Sequence, residues 1–154
     1  MKIRDVMTAD IEVVTPDDTL TTATRLMADL NFEALPVEED NRLVGLISAR
    51  DIAIRVAANG LDPEATTVRR AMSTDLLYCF ENESAEDVSQ KMGGWWVRRL
   101  AVVKQDKRLI GMVSLADLTA LNAEPKPIRM LLRRYKAARP ARQTRRACRK
   151  AAAA

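Results

Sequence analysis

Histidine is absent from the sequence, and with it the side chain best suited to proton transfer near neutral pH. The two cysteines, Cys79 and Cys148, lie far apart, without the spacing of a zinc or thioredoxin motif. No P-loop, no metal-ligand cluster and no nucleophile with a recognisable base partner is present. We therefore expect a protein without catalytic or metal-binding residues, in which the thiols are buried or incidental.

Long apolar runs are also missing. No segment approaches the roughly 18 apolar residues of a membrane-spanning helix. Residues 1–5 lack the apolar centre of a signal peptide. The expected location is the cytoplasm.

Acidic residues are missing from the end of the chain. Residues 1–124 carry 14 basic and all 21 acidic residues, whereas residues 125–154 carry 11 basic residues and no acidic one. The net charges are −7 and +11, so the alkaline pI of about 9.3 describes the tail rather than the body.

A duplicated heptapeptide organises the rest of the chain. Residues 45–51 read GLISARD and residues 111–117 read GMVSLAD, at an offset of 66 residues. A motif that recurs in this way predicts two repeats. Units of about 60 residues bury too little surface to be stable alone, so we expect the repeats to pack together.

The hydrophobic pattern predicts strand, helix, strand, strand, helix in each repeat. The first repeat has a strand at 11–14, a helix capped by Asp18 or Thr19, strands at 34–37 and 43–47, and a helix from Ser48 to about 58. The second has a strand at 76–80, a helix at 84–92, strands at 100–103 and from 109, and a helix after Ser114. The offset changes from 65 to 66 in the turn between the last two strands. The predicted divisions are 1–60, 61–122 and a basic tail at 123–154.

This pattern resembles a tandem pair of cystathionine β-synthase (CBS) domains, a Bateman module, of the stand-alone bacterial type. The resemblance is carried by residues 6–8 and 71–73, by VVTP at 13–16, by ALPV at 34–37 and by the two heptapeptides. It implies an α+β fold of two β-α-β-β-α repeats packed sheet to sheet with pseudo-symmetry. It also implies homodimers, often flat discs, and adenosine-containing ligands in the clefts between repeats.

Ser48 and Asp51 have two interpretations. A serine followed three residues later by an acid forms a capping box, with the acid at the positive end of the helix dipole. The same junction suits a ligand, because helical N–H groups attract phosphate and a carboxylate in the first turn accepts both ribose hydroxyls.

The family resemblance assigns the ligand roles. It puts the Ser48 hydroxyl near phosphate and Asp51 on the ribose. The base is lined by the backbone around Val14, Thr15, Leu35 and Pro36.

The second copy departs from the family pattern. Ser114 and Asp117 are present, but Phe80-Glu81 replaces Thr15-Pro16 and Ala101 replaces Pro36. Phe80 either stacks on an adenine or packs in the core. We expect the first copy to be the better site.

Two further groups are candidates for contacts. The arginines that suit phosphate by charge are Arg50, Arg69, Arg70, Arg98 and Arg99, of which Arg50 and Arg99 lie nearest the motif and the strand at 100. The adjacent Trp95 and Trp96 cannot both face one core, and we interpret them as a dimer contact.

The tail has an apolar stripe at Ile128, Leu131, Leu132 and Tyr135 between basic residues, which predicts a short amphipathic helix. It either lies on the body or a partner chain, or binds an anionic partner such as nucleic acid or lipid.

The leading hypothesis is a regulatory module without a required cofactor that senses AMP, ADP, ATP, NAD or S-adenosylmethionine. The alternative is a dimeric adaptor whose tail binds nucleic acid or another anionic partner.

Overall fold

The computed structural model describes residues 1–119 of the 154. Their regular elements are α1 (Leu20–Leu30), β1 (Ala34–Glu39), β2 (Arg42–Ser48), α2 (Ala49–Arg55), α3 (Val68–Ala71), β3 (Tyr78–Phe80), α4 (Ala85–Trp95), β4 (Arg99–Val103), β5 (Leu109–Ser114) and α5 (Leu115–Thr119). Short 3₁₀ helices occur at Ile3–Asp5 and Ala57–Asn59. The predicted α+β fold class is confirmed. The predicted tail helix, and with it the nucleic-acid alternative, lies outside the described residues.

The described residues divide into two compact units that differ from the sequence repeats. Unit 1 contains residues 1–12, 38–44 and the second repeat from residue 75. Unit 2 contains residues 13–37 and 45–74. The repeats therefore exchange their first segments, because residues 1–12 pack with the second repeat and residues 68–74 pack with the first.

Unit 1 contains a sheet in which β4 lies between β3 and β5, parallel to β3 and antiparallel to β5. The β4–β5 register is irregular between Val102, which faces Gly111, and Val103, which faces Leu109. This irregularity lies in β5, just after the turn in which the repeat offset changes from 65 to 66. The two strands remain paired on either side of it.

The core of unit 1 is apolar. Its buried cluster is formed by Ile3, Cys79, Ala85, Val88, Met92, Leu100, Val102, Val113, Leu115 and Leu118. The Cys79 thiol donates to the Ala101 carbonyl at 3.8 Å. Burial, reinforced by the negative charge of Glu83, raises the pKa of this thiol to about 12. Cys79 is thus a buried thiol, as the sequence predicts.

Unit 2 contains the β1–β2 hairpin apart from its tip, and helices α1, α2 and α3. The hairpin turns through Asp40 and Asn41, whose positive φ angles of 52° and 61° are typical of a type I′ turn. Helix α1 begins after Thr19, whose side chain accepts from the Thr22 N–H at 3.2 Å. The prediction of Thr19 as a cap is confirmed.

The predicted strand at residues 11–14 is wrong. Only Val14 pairs, in a parallel bridge to Val37, and its N–H donates to the Pro36 carbonyl at 3.2 Å. In the second repeat the ladder continues through the Glu81 N–H, which donates to Val103 O at 3.2 Å. Pro16 stands at the matching position and has no N–H to donate.

Three other elements have bounds that differ from those predicted from the sequence. The strand predicted at 76–80 is confined to Tyr78–Phe80. The helix predicted from Ser48 to about 58 ends at Arg55 and is followed by the 3₁₀ turn. Helix α4 starts at the predicted Ser84 cap but continues through two glycines to Trp95.

The glycines that begin the heptapeptides make room for the exchanged segments. The backbones of Thr8 and Met112 exchange hydrogen bonds of 2.8 and 2.9 Å, and those of Ser73 and Leu46 exchange bonds of 2.8 and 2.9 Å. A Cβ on Gly111 would lie 2.7 Å from Thr8 O, and a Cβ on Gly45 would lie 2.8 Å from Met72 Sδ and 3.1 Å from Ser73 O.

We predict that Gly111→Ala lowers the free energy of unfolding by about 1–3 kcal/mol, as overpacking does. Gly45→Ala should cost less, since its closest contact is the flexible end of a methionine rather than a carbonyl. Gly94→Ala is the matched control: Gly94 lies in α4 and its added Cβ would meet nothing within 4 Å. It should stabilise the protein by roughly 0.5–1 kcal/mol. Urea unfolding measures all three, and equal effects would contradict the packing argument.

We predict that Cys79 reacts with thiol reagents only when the protein unfolds. In a Cys148→Ser chain at pH 8, the native protein should react about 100-fold or more slowly than the urea-unfolded protein, because burial suppresses the thiolate. Burial raises the pKa of Cys79 from 9.0 to about 12 in the folded protein. The contribution of this thiol to the free energy of unfolding should therefore be fully present below pH 9 and lost as pH rises toward 12. Fast labelling of the native protein would contradict the buried position.

Candidate functional site

The ligand residues predicted for the first copy all lie in unit 2. Leu35 and Pro36 are on β1, Ser48 ends β2, and Arg50 and Asp51 lie in the first turn of α2. Val14 and Thr15 lie in the segment that bridges to β1. Those predicted for the second copy, Arg99, Ser114 and Asp117, lie in unit 1.

Ser48 and Asp51 form a complete capping box. The Ser48 Oγ accepts from the Asp51 N–H at 3.0 Å and donates to Asp51 Oδ2 at 2.8 Å. The same carboxylate oxygen accepts from the Ser48 N–H at 2.9 Å. The capping interpretation of this spacing is therefore confirmed.

Ser114 and Asp117 repeat this geometry. The Ser114 Oγ accepts from the Asp117 N–H at 3.2 Å and donates to Asp117 Oδ2 at 2.7 Å, and the Ser114 N–H donates to that oxygen at 2.9 Å. In both copies one carboxylate oxygen is engaged by the serine. The duplicated motif is thus a duplicated helix start.

The first helical amides are also engaged. The Ala49 N–H donates to Glu33 O at 2.9 Å, and the Leu115 N–H donates to Arg98 O at 3.0 Å. Together with the serine caps, these bonds satisfy two first-turn donors of each helix. Fewer N–H groups are available for an anion than the sequence pattern suggests.

Asp51 also has a cationic neighbour. Arg55 Nε lies 3.9 Å from Asp51 Oδ1, with the Asp51 side chain 18% exposed and the Arg55 side chain 48% exposed. Arg55 Nη1 also donates to the carbonyls of Ala71 and Met72 at 3.1 and 2.9 Å. Arg55 was not among the residues predicted from the sequence, although an arginine four residues after an aspartate in a helix is a recognised pairing signal.

The predicted base-lining residues are mostly buried. Val14, Leu35 and Pro36 are buried, whereas Thr15 is exposed. The N–H of Thr15 donates to Asp18 Oδ2 at 2.8 Å, and that of Val14 is bonded to Pro36 O. These two amides are therefore not available to a base, which would have to use other groups.

The predicted arginines occupy different environments. Arg50 and Arg70 are exposed, Arg98 and Arg99 are half-buried, and Arg69 pairs with Asp17 at 3.6 Å. Arg50 follows Ala49 in the first turn of α2, one residue before Asp51. Of the five, it is the one placed on the capped helix of unit 2.

Two concavities are lined by none of the ten predicted ligand residues. One, of about 640 Å³, lies at the hairpin tip in unit 1 beside Glu39, Asp40, Asn41, Arg42, Val44 and Arg108. Near it, a hydrogen bond from the Arg108 backbone holds the pKa of Asp106 below its usual value. The other, of about 320 Å³, lies in unit 2 between α1 and α2.

Comparison with known sequences places the chain in a family. The sequence model of the CBS-domain family matches residues 3–58 and 68–124. The chain belongs to the CBS-domain family. This confirms the resemblance expected from the repeated motifs, and a tandem CBS pair is a regulatory module.

Stand-alone CBS proteins are among the similar sequences. CBS domain-containing protein YhcV from Bacillus subtilis is 41% identical over 116 residues, which cover 75% of this chain and 81% of YhcV. Hypoxic response protein 1 from Mycobacterium tuberculosis is 35% identical over 116 residues, covering 75% and 80% of the two chains.

Solved structures share the fold. Hypoxic Response Protein I with two coordinated zinc ions aligns with a TM-score of 0.69 and 34% identity, over 78% of this chain and 98% of that chain. CBSX2 in complex with AMP aligns with a TM-score of 0.68 and 24% identity, over 79% and 95%. The second likeness concerns the fold alone.

Two features are absent from residues 1–119. Within this range no three His, Cys, Asp or Glu side chains are grouped so as to hold a metal ion. Nor does this range contain a helix with the length and apolarity needed to cross a membrane.

We predict that Ser48→Ala and Ser114→Ala each lower the free energy of unfolding by about 0.5–2 kcal/mol, the usual cost of losing a serine cap. Each removes the acceptor of one helical N–H and one of the two hydrogen bonds that the aspartate Oδ2 accepts. Urea unfolding measures the loss, and Thr74→Ala, at an exposed loop position, is the control. If either serine variant matched Thr74→Ala, the cap would not contribute to stability.

Proposed function

We propose that this CBS pair is a non-catalytic sensor that binds an adenosine-containing ligand beside Asp51 and acts in the cytoplasm as a homodimer. The candidate ligands are AMP, ADP, ATP, NAD and S-adenosylmethionine. The observation that carries the proposal is the Asp51 carboxylate, whose Oδ2 is held by the cap while Oδ1 lies 3.9 Å from Arg55 Nε. A positioned carboxylate oxygen of this kind suits a ribose hydroxyl.

The cap fixes the Asp51 side chain before any ligand arrives. Two hydrogen bonds to Oδ2 hold the carboxylate in one orientation, so little side-chain entropy is lost on binding. The hydrogen bond of a ribose hydroxyl to a charged acceptor contributes about 1.5–3 kcal/mol. Asp51 is therefore the side chain whose change should affect affinity most.

Arg50 is the favoured phosphate partner. The Ser48 hydroxyl donates its one proton to Asp51, so it can donate to a phosphate only by releasing the carboxylate. Arg50 is exposed and adjacent to Asp51 in sequence. Its planar guanidinium binds phosphate oxygens in pairs, which allows it to act without disturbing the cap.

We place the principal site in the first copy. At the position that matches Thr15, Phe80 is half-buried and packs edge-to-face on Tyr78, with ring centroids 5.5 Å apart. Lys107 Nζ lies 3.8 Å from the centre of the same Tyr78 ring. This packing favours the core interpretation of Phe80, and in unit 1 the Ser114–Asp117 pair serves as a helix cap.

The choice of ligand class has support from a protein of the same fold, since CBSX2 was crystallised with AMP. The absence of histidine from the sequence agrees with a binding rather than a catalytic role. No cofactor is required by this function. The adenosyl compound acts as the regulatory ligand.

We predict that at least one of the five compounds raises the melting temperature. At 100 times its dissociation constant a ligand adds about 2.7 kcal/mol of stability. Titration calorimetry with the active compound should then show affinity at least about tenfold weaker for Asp51→Asn, because one charged hydrogen bond is lost.

The controls separate the site from general charge effects. Asp75→Asn removes the same charge at an exposed position in unit 1 and should leave affinity unchanged. Asp117→Asn should also have little effect. No stabilisation by any compound, or equal affinity for Asp51→Asn and Asp75→Asn, would overturn the assignment.

A further inference from the structure

Arg55 joins the Asp51 carboxylate to a segment that unit 2 receives from the second repeat. Its Nε lies 3.9 Å from Asp51 Oδ1, and its Nη1 donates to the carbonyls of Ala71 and Met72 at 3.1 and 2.9 Å. Both carbonyls belong to the exchanged segment at residues 68–74, which lies in unit 2. One guanidinium group therefore contacts both the proposed ligand carboxylate and the exchanged segment.

The end of α3 needs hydrogen-bond donors from outside the helix. This helix is a single turn of 4 residues, Val68–Ala71, and the last carbonyls of a helix have no N–H partner within it. A guanidinium presents several N–H donors in a planar fork. Arg55 can therefore bond two carbonyls and still face a carboxylate, which the compact ammonium of a lysine does less well.

The start of the exchanged segment is bonded to the loop that follows Thr15. The Val68 N–H donates to Asp18 O at 2.8 Å, and the Arg69 N–H donates to Pro16 O at 2.9 Å. The side chain of Asp18 accepts from the Thr15 N–H at 2.8 Å. The segment thus contacts the loop that carries Thr15, one of the residues predicted to line the base.

The end of the exchanged segment is bonded to the strand that leads to Ser48. The backbones of Ser73 and Leu46 exchange hydrogen bonds of 2.8 and 2.9 Å, and β2 ends at Ser48, which holds Asp51 Oδ2. Arg55 meets the segment between these two ends. The segment therefore contacts the predicted base side of the site directly, and the ribose side through β2 and Arg55.

The guanidinium of Arg55 is held by the two carbonyls more than by Asp51. Its bonds to the carbonyls have ordinary lengths, whereas charge-assisted hydrogen bonds to a carboxylate are about 2.7–2.9 Å long. An exposed ion pair with a separation of 3.9 Å contributes little stability by itself. Asp51 Oδ1 can therefore accept a hydroxyl while Arg55 keeps its place.

We propose that Arg55 is a positioning residue of the adenosyl site and couples its occupancy to the exchanged segment. A ribose hydroxyl bound to Oδ1 immobilises the Asp51 carboxylate, whose charge then keeps Arg55 on its two carbonyls. The exchanged segment is held more firmly when the ligand is bound. Coupling acts equally in both directions, so a segment held by Arg55 raises the affinity for the ligand. This inference rests on the proposed function.

The second repeat has no arginine at the matching position. The offset of 66 that relates Asp51 to Asp117 relates Arg55 to Leu121. A leucine side chain has no N–H to donate to a carbonyl and no charge to pair with a carboxylate. The coupling is thus confined to the copy in which we place the principal site.

The test measures ligand affinity and amide hydrogen exchange in the full-length chain. The probe is whichever of AMP, ADP, ATP, NAD and S-adenosylmethionine raises the melting temperature most. At saturation it should slow exchange of the Val68 and Ser73 amides more than that of Thr22 in α1, which reports general stabilisation. In Arg55→Gln this extra protection should be lost and the affinity should be about fivefold weaker. Arg55→Lys should lie between Arg55→Gln and the native chain.

Arg25→Gln is the matched control, because Arg25 is an exposed arginine on α1. It should bind the probe like the native chain. In an Asp51→Asn chain, Arg55→Gln should weaken affinity little further, since Arg55 acts through that carboxylate. A merely structural role would lower the free energy of unfolding of Arg55→Gln and leave affinity and extra protection unchanged.

The outcomes separate this inference from the proposed function. Equal affinity and protection in Arg55→Gln and Arg25→Gln would overturn the coupling and leave the site beside Asp51. Additive losses in the double variant would overturn the action of Arg55 through Asp51. A native chain that binds none of the five compounds would overturn the proposed function and this inference together. Circular dichroism verifies folding, and Arg55→Lys gives the same comparison if Arg55→Gln unfolds.

Discussion

The close approach of two backbones at a glycine is the constraint on which both units depend. In unit 1 the carbonyl of Thr8 lies against Gly111, and in unit 2 that of Ser73 lies against Gly45. Each contact is fixed by a reciprocal pair of main-chain hydrogen bonds. The paired segment comes from the other repeat in both cases. A side chain at either glycine would separate the bridged segments that join the repeats into these units.

The heptapeptide therefore combines three structural tasks in seven residues. Its glycine leaves space for a backbone segment of the other repeat. Its two apolar residues complete a strand, and its serine and aspartate start a helix. The carboxylate has a second oxygen that the cap does not use, and in unit 2 this oxygen faces a neighbouring arginine. The ligand binding that we propose at this position would need no change in the fold, because the cap has already oriented the group.

The sequence predicted those elements whose signals are local. Thr19 and Ser84 were identifiable as caps because a cap depends on residues three positions away. The strand predicted at residues 11–14 was wrong because its pairing with β1 needs a further backbone N–H donor at residue 16. Pro16 has no N–H. The exchange of segments was also not predictable, since periodicity gives the type of an element but not its partner.

For the site, the Ser48–Asp51 geometry followed from the motif. The bonds that engage Ala49 and Leu115 did not, because their acceptors, Glu33 and Arg98, belong to preceding connections.

The exchanged segments have a consequence for the history of the chain. Neither repeat contains all the residues of one compact unit, because each gives its first segment to the unit built on the other. A single ancestral repeat with this topology would form this backbone bridge only by swapping that segment with another molecule. Duplication and fusion convert such a swapped pair into one chain, and an association that once depended on concentration becomes intramolecular. After fusion the two copies are free to diverge, as the replacement of Thr15-Pro16 by Phe80-Glu81 shows.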